Sequence, residues 1–433
     1  MSEFIEIVGG TPLHGTVSVG GAKNGALPML MASILTAEEV VYENVPNLED
    51  INLTVHLLEQ FGGQVDYRVG YTGGTLKVSV PQLLATEASY SLVKALRASF
   101  WVLGPLLARG GAARVALPGG DIIGARPVDM HIAALAQMGA DIKVKHGVVF
   151  ATAPTGLKPA KISFRFPSVG ATHQVIMAAA LTPGVTTIEG AAREPEIVAV
   201  ADLINKMGGH VEGAGSSRIA IHGRESLGGA KVRIPGDRIE AGTYLLAGAV
   251  TGGAVKVEGI EPYYFGRFLD VLNDMGLSVD AGSDFVSVKS NGRLKAVSVS
   301  TAPFPELATD LQAPLMAALT LADGVSKVEE NIFEGRFGHA SELCRMGASI
   351  KIDERVATIT GVEKLTGAPV EGFDIRAAAA LVVGGVAAEG ITHIFEPQHI
   401  RRGYEYLELK LSKLGARISC RVSDAEDFTF AGC

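Results

Sequence analysis

Cysteine is scarce in this chain, and the few cysteines present lie far apart. Cys344, Cys420 and Cys433 form no CxxC pair among the 433 residues. A disulfide framework or a structural zinc site needs more cysteines at short spacing, so this pattern excludes both and favours a reducing cytoplasm. Cys420 alternates with Ile418 and Val422, which predicts a core position on a strand.

Long hydrophobic runs are lacking as well. The longest, at 377–388, has about a dozen residues, whereas a membrane-spanning helix needs about 20. The opening MSEFIEIVGG has no apolar core of a signal peptide. A net charge of −8 argues against a nucleic-acid or anionic-membrane surface, although local cations could still bind an anionic small molecule. The length favours two globular domains.

Two kinds of chemical cluster are also missing. No group of His, Cys and Asp residues has metal-ligand spacing, and no Ser-His-Asp arrangement is recognisable. We therefore expect no metal and no cofactor. His131 and His173 are assigned to packing or hydrogen bonding on helices. His399, which precedes Arg401 and Arg402, is either structural or in contact with a site.

Glycine, by contrast, is abundant and marks an internal repeat. Six Met-Gly, Leu-Gly or Phe-Gly pairs recur at roughly 70 residues, each where a C′ glycine would end an amphipathic helix. Each repeat has a second, Ala/Gly-rich helix that is apolar nearly all round and therefore predicted to be buried inside the sheets. Three repeats in each half predict two similar domains. The glycines are Gly62, Gly139, Gly208, Gly276, Gly347 and Gly415, and the buried helices are predicted at 22–35, 92–108, 170–181, 240–250, 309–321 and 376–388.

Polar residues stand at or near the starts of these buried helices. Each could be a cap or part of a local ion pair. Because helix starts offer unpaired N–H groups and a positive dipole end, several of them converging on a cleft would instead form an anion site. The residues are Lys23 with Asn24, Arg97, Thr172, Glu240, Asp310 and Arg376.

The segment LPGGDIIGARPVDM at 117–130 combines three glycines with Asp121, Arg126 and Asp129. Glycine permits backbone conformations that other residues avoid, and the proline at 127 suits the first turn of a helix. The segment is therefore either a glycine-rich surface turn or a loop that closes on a polar ligand.

Long motifs in the chain resemble those of the UDP-N-acetylglucosamine 1-carboxyvinyltransferases, a family of enolpyruvyl transferases. They include GGTPLHGTVSVGGAKNGALPML, LPGGDIIGARPVDMHI, FPELATDLQAP, IFEGRFGHASEL and RRGYEYLELKL, in order and nearly end to end. The resemblance implies an α/β fold of two similar domains. Each would hold three βαββαβ-like repeats with buried Ala/Gly-rich helices, an inside-out α/β barrel. It implies an active site in the interdomain cleft, a nucleotide-side domain at 23–234 with a mobile loop at 118–126, and a second domain at 1–22 and 235–433.

The family transfers the enolpyruvyl group of phosphoenolpyruvate to the 3-hydroxyl of UDP-N-acetylglucosamine and releases phosphate, the first committed step toward peptidoglycan. These substrates carry phosphate, carboxylate and diphosphate groups, which arginine binds with its fork of donors. By resemblance, the residues expected to hold phosphoenolpyruvate are Lys23, Asn24, Arg126, Arg402, Arg336 and Arg376. Those expected to hold the nucleotide sugar are Arg97, Arg126, Pro127, Val128, Asp129, Met130, Ser168, Val169, Gly170, Asp310 and Ile332, with Phe333 beside the sugar.

The resemblance also implies how protons move. Asp310 is the expected base for the sugar hydroxyl, and Asp121 with Lys23 is expected to supply the proton to the methylene carbon. Asp121 is a departure, because most relatives have a cysteine at this position. A carboxylate is a much poorer nucleophile toward epoxides than a thiolate, so we expect resistance to the alkylating antibiotic fosfomycin. An aspartate also titrates too low for a good acid unless closure of the loop raises its pKa.

A second departure is Phe166, where many relatives have a basic residue. Arg165 or Lys161 would have to replace that contact. Two alternatives stay open: the sister transferase acting on shikimate 3-phosphate, and a paralogue that binds the nucleotide sugar without turnover. The GARPVD and REPEI segments favour the nucleotide enzyme over the first, and the retained lysine, arginines and aspartate argue against the second. The oligomeric state is left open, and only the two small-molecule substrates are expected as partners.

Overall fold

The computed structural model describes residues 2–118, 123–125 and 127–423. Packing divides them into two compact units, each with its own hydrophobic core. Unit 1 comprises the described parts of 1–19, 122–124 and 237–433, and unit 2 those of 20–121 and 125–236. The junctions thus lie at 19–20 and 236–237, where the sequence predicted 22–23 and 234–235.

The chain begins in unit 1 with β1 (Ser2–Val8) and β2 (His14–Ser18) and then enters unit 2. Unit 2 holds three four-stranded sheets of one topology, ordered β14-β3-β5-β4, β6-β7-β9-β8 and β10-β11-β13-β12. In each, the first two strands are parallel and the other pairs antiparallel. The strands are β3 (Val40–Val45), β4 (Gln64–Arg68), β5 (Gly74–Ser79), β6 (Glu87–Ala88), β7 (Ala112–Ala116), β8 (Asp141–Lys145), β9 (Val148–Thr152), β10 (Lys161–Ser163), β11 (Gly184–Glu189), β12 (His210–Glu212), β13 (Arg218–Gly223) and β14 (Ala230–Arg233).

Unit 1 repeats the same topology in sheets β2-β15-β17-β16, β18-β19-β21-β20 and β22-β23-β1-β24. The N-terminal strands complete two of them, because β2 runs parallel to β15 and β1 lies between β23 and β24. Six sheets of one topology confirm the α/β repeat architecture. The strands are β15 (Ala254–Glu258), β16 (Ser278–Ala281), β17 (Phe285–Lys289), β18 (Ser298–Ser300), β19 (Val325–Glu329), β20 (Ser349–Asp353), β21 (Val356–Thr360), β22 (Pro369–Glu371), β23 (Ile391–Phe395) and β24 (Arg417–Ser423).

The helices fall into a buried class and an amphipathic class, as the sequence predicted. Among the buried ones, α8 is buried from Arg238 to Ala249 and α12 from Arg376 to Val386. The helices are α1 (Lys23–Ala32), α2 (Glu49–Gln60), α3 (Tyr90–Ala95), α4 (Leu103–Gly110), α5 (Asp129–Gln137), α6 (Val169–Ala180), α7 (Pro195–Lys206), α8 (Arg238–Val250), α9 (Phe268–Asp274), α10 (Thr309–Leu319), α11 (His339–Arg345), α12 (Ile375–Ala387), α13 (Gln398–Arg401) and α14 (Leu407–Lys413).

The single helix predicted at 92–108 is wrong. The chain forms α3, a 3₁₀ segment at Arg97–Val102 and α4 instead, with Leu96 in an extended conformation at φ −129° and ψ 97°. Pro105 has no N–H to donate to the carbonyl of residue 101, which accounts for the 3₁₀ turn just ahead of α4, whereas the structure gives no reason for the extended Leu96. The break places Arg97 at the start of a short segment of its own.

Each of the six predicted C′ glycines has a positive φ, between +87° and +100°. At Gly62 the N–H donates to Glu59 O at 3.0 Å and the next N–H donates to Leu58 O at 2.8 Å, which is the Schellman pattern. The other five helix ends repeat this pair of bonds. The prediction of six glycine-terminated helices is confirmed.

Within the described residues, no helix is both long and apolar enough to cross a bilayer. The core position predicted for Cys420 is wrong, because the residue is exposed on β24, an edge strand. Its thiol donates to Glu3 Oε1 at 3.0 Å and lies 3.4 Å from Arg401 Nη2, so its strand face meets polar side chains rather than the core.

Candidate functional site

Asp310, the second residue of α10, lies between two buried arginines of unit 1. Its Oδ1 accepts a hydrogen bond from Arg336 Nη2 at 2.6 Å, and its Oδ2 accepts one from Arg376 Nη2 at 2.8 Å. The arginine side chains are 7% and 6% exposed and that of Asp310 is 22% exposed. The structure thus brings together three residues that the sequence assigned to the two substrates, in charge-assisted hydrogen bonds.

These charges set the pKa of the Asp310 carboxyl group. Burial alone raises that pKa, but the charges and hydrogen bonds of Arg376 and Arg336 outweigh burial and hold it well below its usual range. Burial likewise favours a lower pKa for Arg376, and the carboxylate of Asp310 reverses this and raises it. Asp310 is therefore ionised and able to accept a proton, but it is a weak base while both guanidinium groups hold it.

Glu330 organises the same corner of unit 1, and sequence reasoning missed it. Its carboxylate is fully buried and accepts hydrogen bonds from the hydroxyls of Thr301 at 2.9 Å and Thr309 at 2.8 Å. It also accepts the backbone N–H groups of Ile332 at 2.8 Å and Phe333 at 3.1 Å. One buried acid therefore orients the predicted apolar wall of the sugar site and the residue that precedes Asp310.

The hydroxyl of Thr309 connects Glu330 to Arg336, because it donates to the first and accepts from the second. Arg336 Nη1 donates to Thr309 Oγ1 at 2.9 Å, and its guanidinium lies over the ring of Phe333 at 5.2 Å. The one feature of the sequence that could have indicated Glu330 is its position as an acid just ahead of the IFEGRF motif. Its exposed neighbour Glu329 has the same side chain, so residue type alone could not distinguish them.

Replacing Glu330 by glutamine should lower kcat/KM by about tenfold and destabilise unit 1 by about 1–3 kcal/mol, since the amide nitrogen cannot accept one of the four hydrogen bonds. Steady-state kinetics and urea unfolding measure the two effects. Glu329→Gln, at the exposed adjacent position, serves as the matched control and should change neither. Equal behaviour of the two variants would contradict the orienting role.

Arg376 also connects to the segment that follows α13. Its Nη1 donates to the hydroxyl of Tyr404 at 3.3 Å, and that hydroxyl shares a hydrogen bond of 3.0 Å with Thr243 Oγ1 on α8. A Cβ added at Gly403 would lie 3.7 Å from Arg376 Nη1. Arg402, the residue before this glycine, is partly exposed. The backbone at Arg402 therefore runs close to the Asp310 cluster.

In unit 2, Lys23 is the first residue of α1 and is paired in the interior. Its Nζ lies 3.4 Å from Asp50 Oδ2 on α2, and the two side chains are 11% and 3% exposed. Asn24 follows it in the first turn. The residue before the helix is Ala22, whose side chain cannot cap the first amides. A cation at a helix start without a capping side chain is a favourable place for an anionic group.

The start of α6 carries the predicted diphosphate-binding turn at 168–170. Ser168 Oγ accepts a hydrogen bond from the backbone amide three positions later at 3.3 Å and so caps the helix. A Cβ added at Gly170 would lie 2.7 Å from Trp101 Nε1 and 2.9 Å from His131 Cε1. Only glycine fits at this position, where the helix start packs against the 3₁₀ segment and α5.

Two histidines are buried beside this turn. His131 Nδ1 is hydrogen-bonded to Gln174 Oε1, and the ring of His173 lies 5.4 Å from that of Trp101. Burial lowers the pKa of His131 to about 4, and the positive charge of Arg97 acts in the same direction. Burial lowers the pKa of His173 to about 3. Both rings are neutral near pH 7, as packed or hydrogen-bonded histidines would be.

Acid should destabilise the fold through His131 and His173. An unfolded histidine binds its proton near pH 6.5, whereas the folded-state values are about 4 and about 3. The folded-state pKa is therefore the lower one, and stability is fully present above pH 6.5 and is lost as the pH falls toward those values. The slope reaches about 1.4 kcal/mol per pH unit for each histidine. Urea unfolding at a series of pH values measures it.

His173→Gln removes one of the two titrating histidines. The slope of its unfolding free energy against pH should therefore be smaller than that of the wild type by about 1.4 kcal/mol per pH unit. His56→Gln is the control, because His56 is exposed on α2, where its Nδ1 lies 3.2 Å from Glu59 Oε2. This control should keep the wild-type slope. An unchanged slope in His173→Gln would show that the buried ring does not carry the effect.

The predicted uridine-contacting run at 127–130 enters α5 at Asp129. Asp129 Oδ2 lies 2.6 Å from Arg165 Nη2, with side chains 50% and 65% exposed. Burial raises the pKa of Asp129, but Arg165 and the backbone amides of Met130 and Asp129 together outweigh burial and lower that pKa. Phe166 is 40% exposed next to this pair, and Lys161 is exposed on β10. Of the two replacements considered for the missing basic residue, Arg165 is the one in contact with the run.

Asp121 and Arg126, two residues predicted to act on phosphoenolpyruvate, lie outside the described residues. The mobility of the loop at 118–126 and the roles of both side chains therefore stay predictions. Gly124 of the same loop is described and has a φ of +143°. A Cβ there would collide with the carboxylate of Glu334, and the N–H of Gly335 donates to Ile123 O at 3.1 Å. Glycine is required at position 124.

Comparison with known proteins gives consistent matches. The sequence profile of the EPSP synthase (3-phosphoshikimate 1-carboxyvinyltransferase) family matches residues 7–411. A curated relative from Xanthobacter autotrophicus, a UDP-N-acetylglucosamine 1-carboxyvinyltransferase, is 48% identical over 421 residues, which cover 96% of this chain and 98% of the relative.

Solved structures match over the same extent. The enolpyruvyl transferase NikO from Streptomyces tendae superposes with a TM-score of 0.88 at 26% identity, covering 98% of this chain and all of the other. EPSP synthase from Acinetobacter baumannii gives a TM-score of 0.73 at 18% identity over 98% of this chain and 100% of the other, a likeness that concerns the fold alone.

Proposed function

Because the chain belongs to the EPSP synthase (3-phosphoshikimate 1-carboxyvinyltransferase) family of enolpyruvyl transferases, we propose that it transfers the enolpyruvyl group of phosphoenolpyruvate to the 3-hydroxyl of UDP-N-acetylglucosamine and releases phosphate. The observation that carries the proposal is the Asp310 cluster, an ionised acid held by two buried arginines at a helix start. It supplies a proton acceptor and two fixed cations for an anionic substrate. The curated relative's 48% identity favours the nucleotide sugar over shikimate 3-phosphate as acceptor.

The first half of the reaction is an addition. The 3-hydroxyl oxygen attacks C2 of phosphoenolpyruvate, the hydroxyl proton passes to Asp310, and the methylene carbon C3 takes up a proton from Asp121 or Lys23. Both oxygens of Asp310 accept from guanidinium groups in the structure. Before the carboxylate can take the proton, one guanidinium group must release its hydrogen bond to Asp310 and bind the substrate instead. The phosphate and carboxylate of phosphoenolpyruvate are the anions that attract Arg336 and Arg376 away from it.

The second half is an elimination. C3 returns a proton to Asp121 or Lys23, whichever the addition left deprotonated. The carbon–carbon double bond re-forms, and the bond from C2 to the phosphate oxygen breaks to release phosphate. Lys23, Arg126 and Arg402 hold the departing phosphate or the carboxylate in this proposal, with Asn24 ordering the first turn of α1. The buried pair of Lys23 with Asp50 supports the assignment, because it holds the ammonium group in one place.

The nucleotide sugar occupies the α5–α6 side of unit 2 in this proposal. The diphosphate lies at the start of α6, where Ser168, Val169 and Gly170 present a helix N-terminus. The uridine contacts the run at 127–130. Ile332 and Phe333, which Glu330 orients in unit 1, supply the apolar contact to the sugar.

Phosphate release from purified protein tests the proposal. Release should require both phosphoenolpyruvate and UDP-N-acetylglucosamine, and it should stop when either is omitted. Release with shikimate 3-phosphate in place of the nucleotide sugar would identify the sister activity. Calorimetric binding of the nucleotide sugar without any phosphate release would identify a paralogue that only binds it.

Asp121 should make the enzyme resistant to fosfomycin, and Asp121→Cys should become sensitive. The carboxylate is a poor nucleophile toward the epoxide, whereas a thiolate attacks it. Time-dependent loss of activity measures the effect, and the variant should be inactivated at least about tenfold faster. Mass spectrometry should find the adduct at position 121 in the variant only. Rapid inactivation of the unmodified enzyme would contradict the prediction.

Cys420 provides the control for this experiment. Cys420 is an exposed residue, but partial burial of its thiol and the hydrogen bond from the thiol to Glu3 raise the pKa of Cys420 to about 11. Little thiolate is therefore present near pH 7. Cys420→Ser in the Asp121→Cys background should leave the inactivation rate unchanged. A slower rate would locate the reactive thiol at position 420 instead.

A further inference from the structure

The third sheet of unit 2 carries a group of metal-ligand side chains on its outer face. His210, Glu212 and His222 have donor atoms that all lie within 4.8 Å of one another. Among the described residues, this is the only group of three or more His, Cys, Asp or Glu side chains found to be that close. It lies in no part of the proposed catalytic machinery.

Strand pairing explains why the three side chains meet. His210 and Glu212 are two residues apart on β12, so both point to the same face, while Val211 between them is buried. His222 lies directly opposite His210 in the antiparallel pair of β12 with β13. The register positions next to them hold Ala220, opposite Glu212, and a valine opposite His222 on β11, both uncharged.

The distances suit one ion. The imidazole rings of His210 and His222 have centroids 4.6 Å apart at 72°, and two imidazoles on a tetrahedral zinc ion stand about 5 Å apart for zinc–nitrogen bonds of about 2.0–2.1 Å. Glu212 Oε1 is already 2.6 Å from His210 Nε2. An ion would replace that hydrogen bond, with His210 Nε2 and Glu212 each bonding to the metal and the neutral imidazole of His210 carrying its one proton on Nδ1.

We propose that His210, Glu212 and His222 bind a divalent transition-metal ion of the zinc class, with water in the fourth position. Two imidazoles and one carboxylate form a donor set that Zn²⁺ favours and that Mg²⁺ and Ca²⁺ do not. The ligands come from both ends of β12 and from β13. The ion therefore joins a three-residue edge strand to its neighbour and stabilises the sheet edge.

Titration of the tag-free full chain with ZnCl₂ tests the proposal by isothermal calorimetry. One ion should bind per chain and raise the thermal unfolding temperature. His210→Ala, His222→Ala and Glu212→Gln should each weaken binding by at least about tenfold. Because the three side chains are on the surface, circular dichroism and the unfolding temperature without metal should match the wild type. Co²⁺ should give the visible absorption of a four-coordinate site in the wild type and lose it in the histidine variants.

His56→Ala is the matched control. His56 is an exposed histidine of the same unit, paired with Glu59 at 3.2 Å, and it belongs to no three-ligand group among the described residues. It should bind Zn²⁺ like the wild type. No binding by the wild type at 1 mM ZnCl₂, or equal binding by the double variant His210→Ala/His222→Ala, would overturn the proposal. The zinc titration does not depend on phosphate release. Failure of the metal proposal would therefore leave the proposed function untouched.

Discussion

Asp310→Asn should reduce kcat by about 10²- to 10⁴-fold, the range expected when a general base is removed. Asparagine keeps the shape of the side chain and can still accept one hydrogen bond from Arg336 or Arg376. It cannot take a proton from the sugar hydroxyl. The loss should therefore fall on kcat more than on the KM for either substrate. Steady-state kinetics, with the second substrate at a saturating concentration, measure how the loss divides between kcat and KM.

Two measurements separate this chemical role from a structural one. Asparagine removes the counter-charge that Asp310 gives to two buried guanidinium groups, so thermal unfolding must be recorded and kinetics run well below the unfolding temperature. Asp270→Asn is the matched control, an exposed aspartate in the first turn of α9. It should change neither property. A loss under threefold in folded Asp310→Asn would remove Asp310 as the base.

Lys410→Met should destabilise unit 1 by about 3–5 kcal/mol, because it leaves buried acids without their cation. Lys410 Nζ lies 2.6 Å from Glu240 Oε1 and 3.6 Å from Glu405 Oε2, and all three side chains are at most 3% exposed. The hydroxyl of Tyr244 also donates to Glu240 Oε1 at 2.9 Å. Urea unfolding measures the loss.

The pH dependence of this variant follows from Glu240. Burial raises the pKa of Glu240 even though Lys410 lowers it, so removal of the lysine should raise it further. When the folded-state pKa of an acid lies above its unfolded value, the ionised acid destabilises the folded state at high pH. Protonation at lower pH removes this destabilisation. The variant should therefore lose more stability at about pH 8 than at about pH 5.5.

Lys413→Met, at an exposed position on the same helix, is the control and should lie within about 0.5 kcal/mol of the wild type. The double variant Lys410→Met/Glu240→Gln should recover part of the loss, because one of the two buried acids is then neutral. A single Lys410→Met variant as stable as the control would show that the buried charges do not need their cation.

Features with a local cause could be predicted from the sequence. A glycine at C′ has its effect within six residues, and the apolar helices have a period that needs no partner to be recognised. This is why the six glycines and the buried class of helices were found. The exception is the break at Leu96, which no local pattern between residues 92 and 108 indicates.

Features that depend on contacts between distant segments could not be predicted in this way. Glu330 and Lys410 look like any other charged residues in the sequence, and only packing buries them. His210 and His222 are far enough apart in sequence that no metal motif is visible, and only the register of β12 on β13 makes them neighbours. The resemblance supplied Asp310, Arg336 and Arg376 individually, whereas their hydrogen bonds required coordinates.

The way the first two strands are used has a consequence for how the protein is made. As the ribosome extends the chain, unit 2 can close as soon as β14 emerges and pairs with β3. Unit 1 must wait much longer, since β2 needs β15 and β1 needs β23 and β24 from the far end. During that interval the apolar stretch FIEIV of β1 has no native strand to pair with. The leading segment is therefore without its native partner strands until β23 and β24 have been made, and its unpaired apolar strand is exposed to wrong pairing during that time.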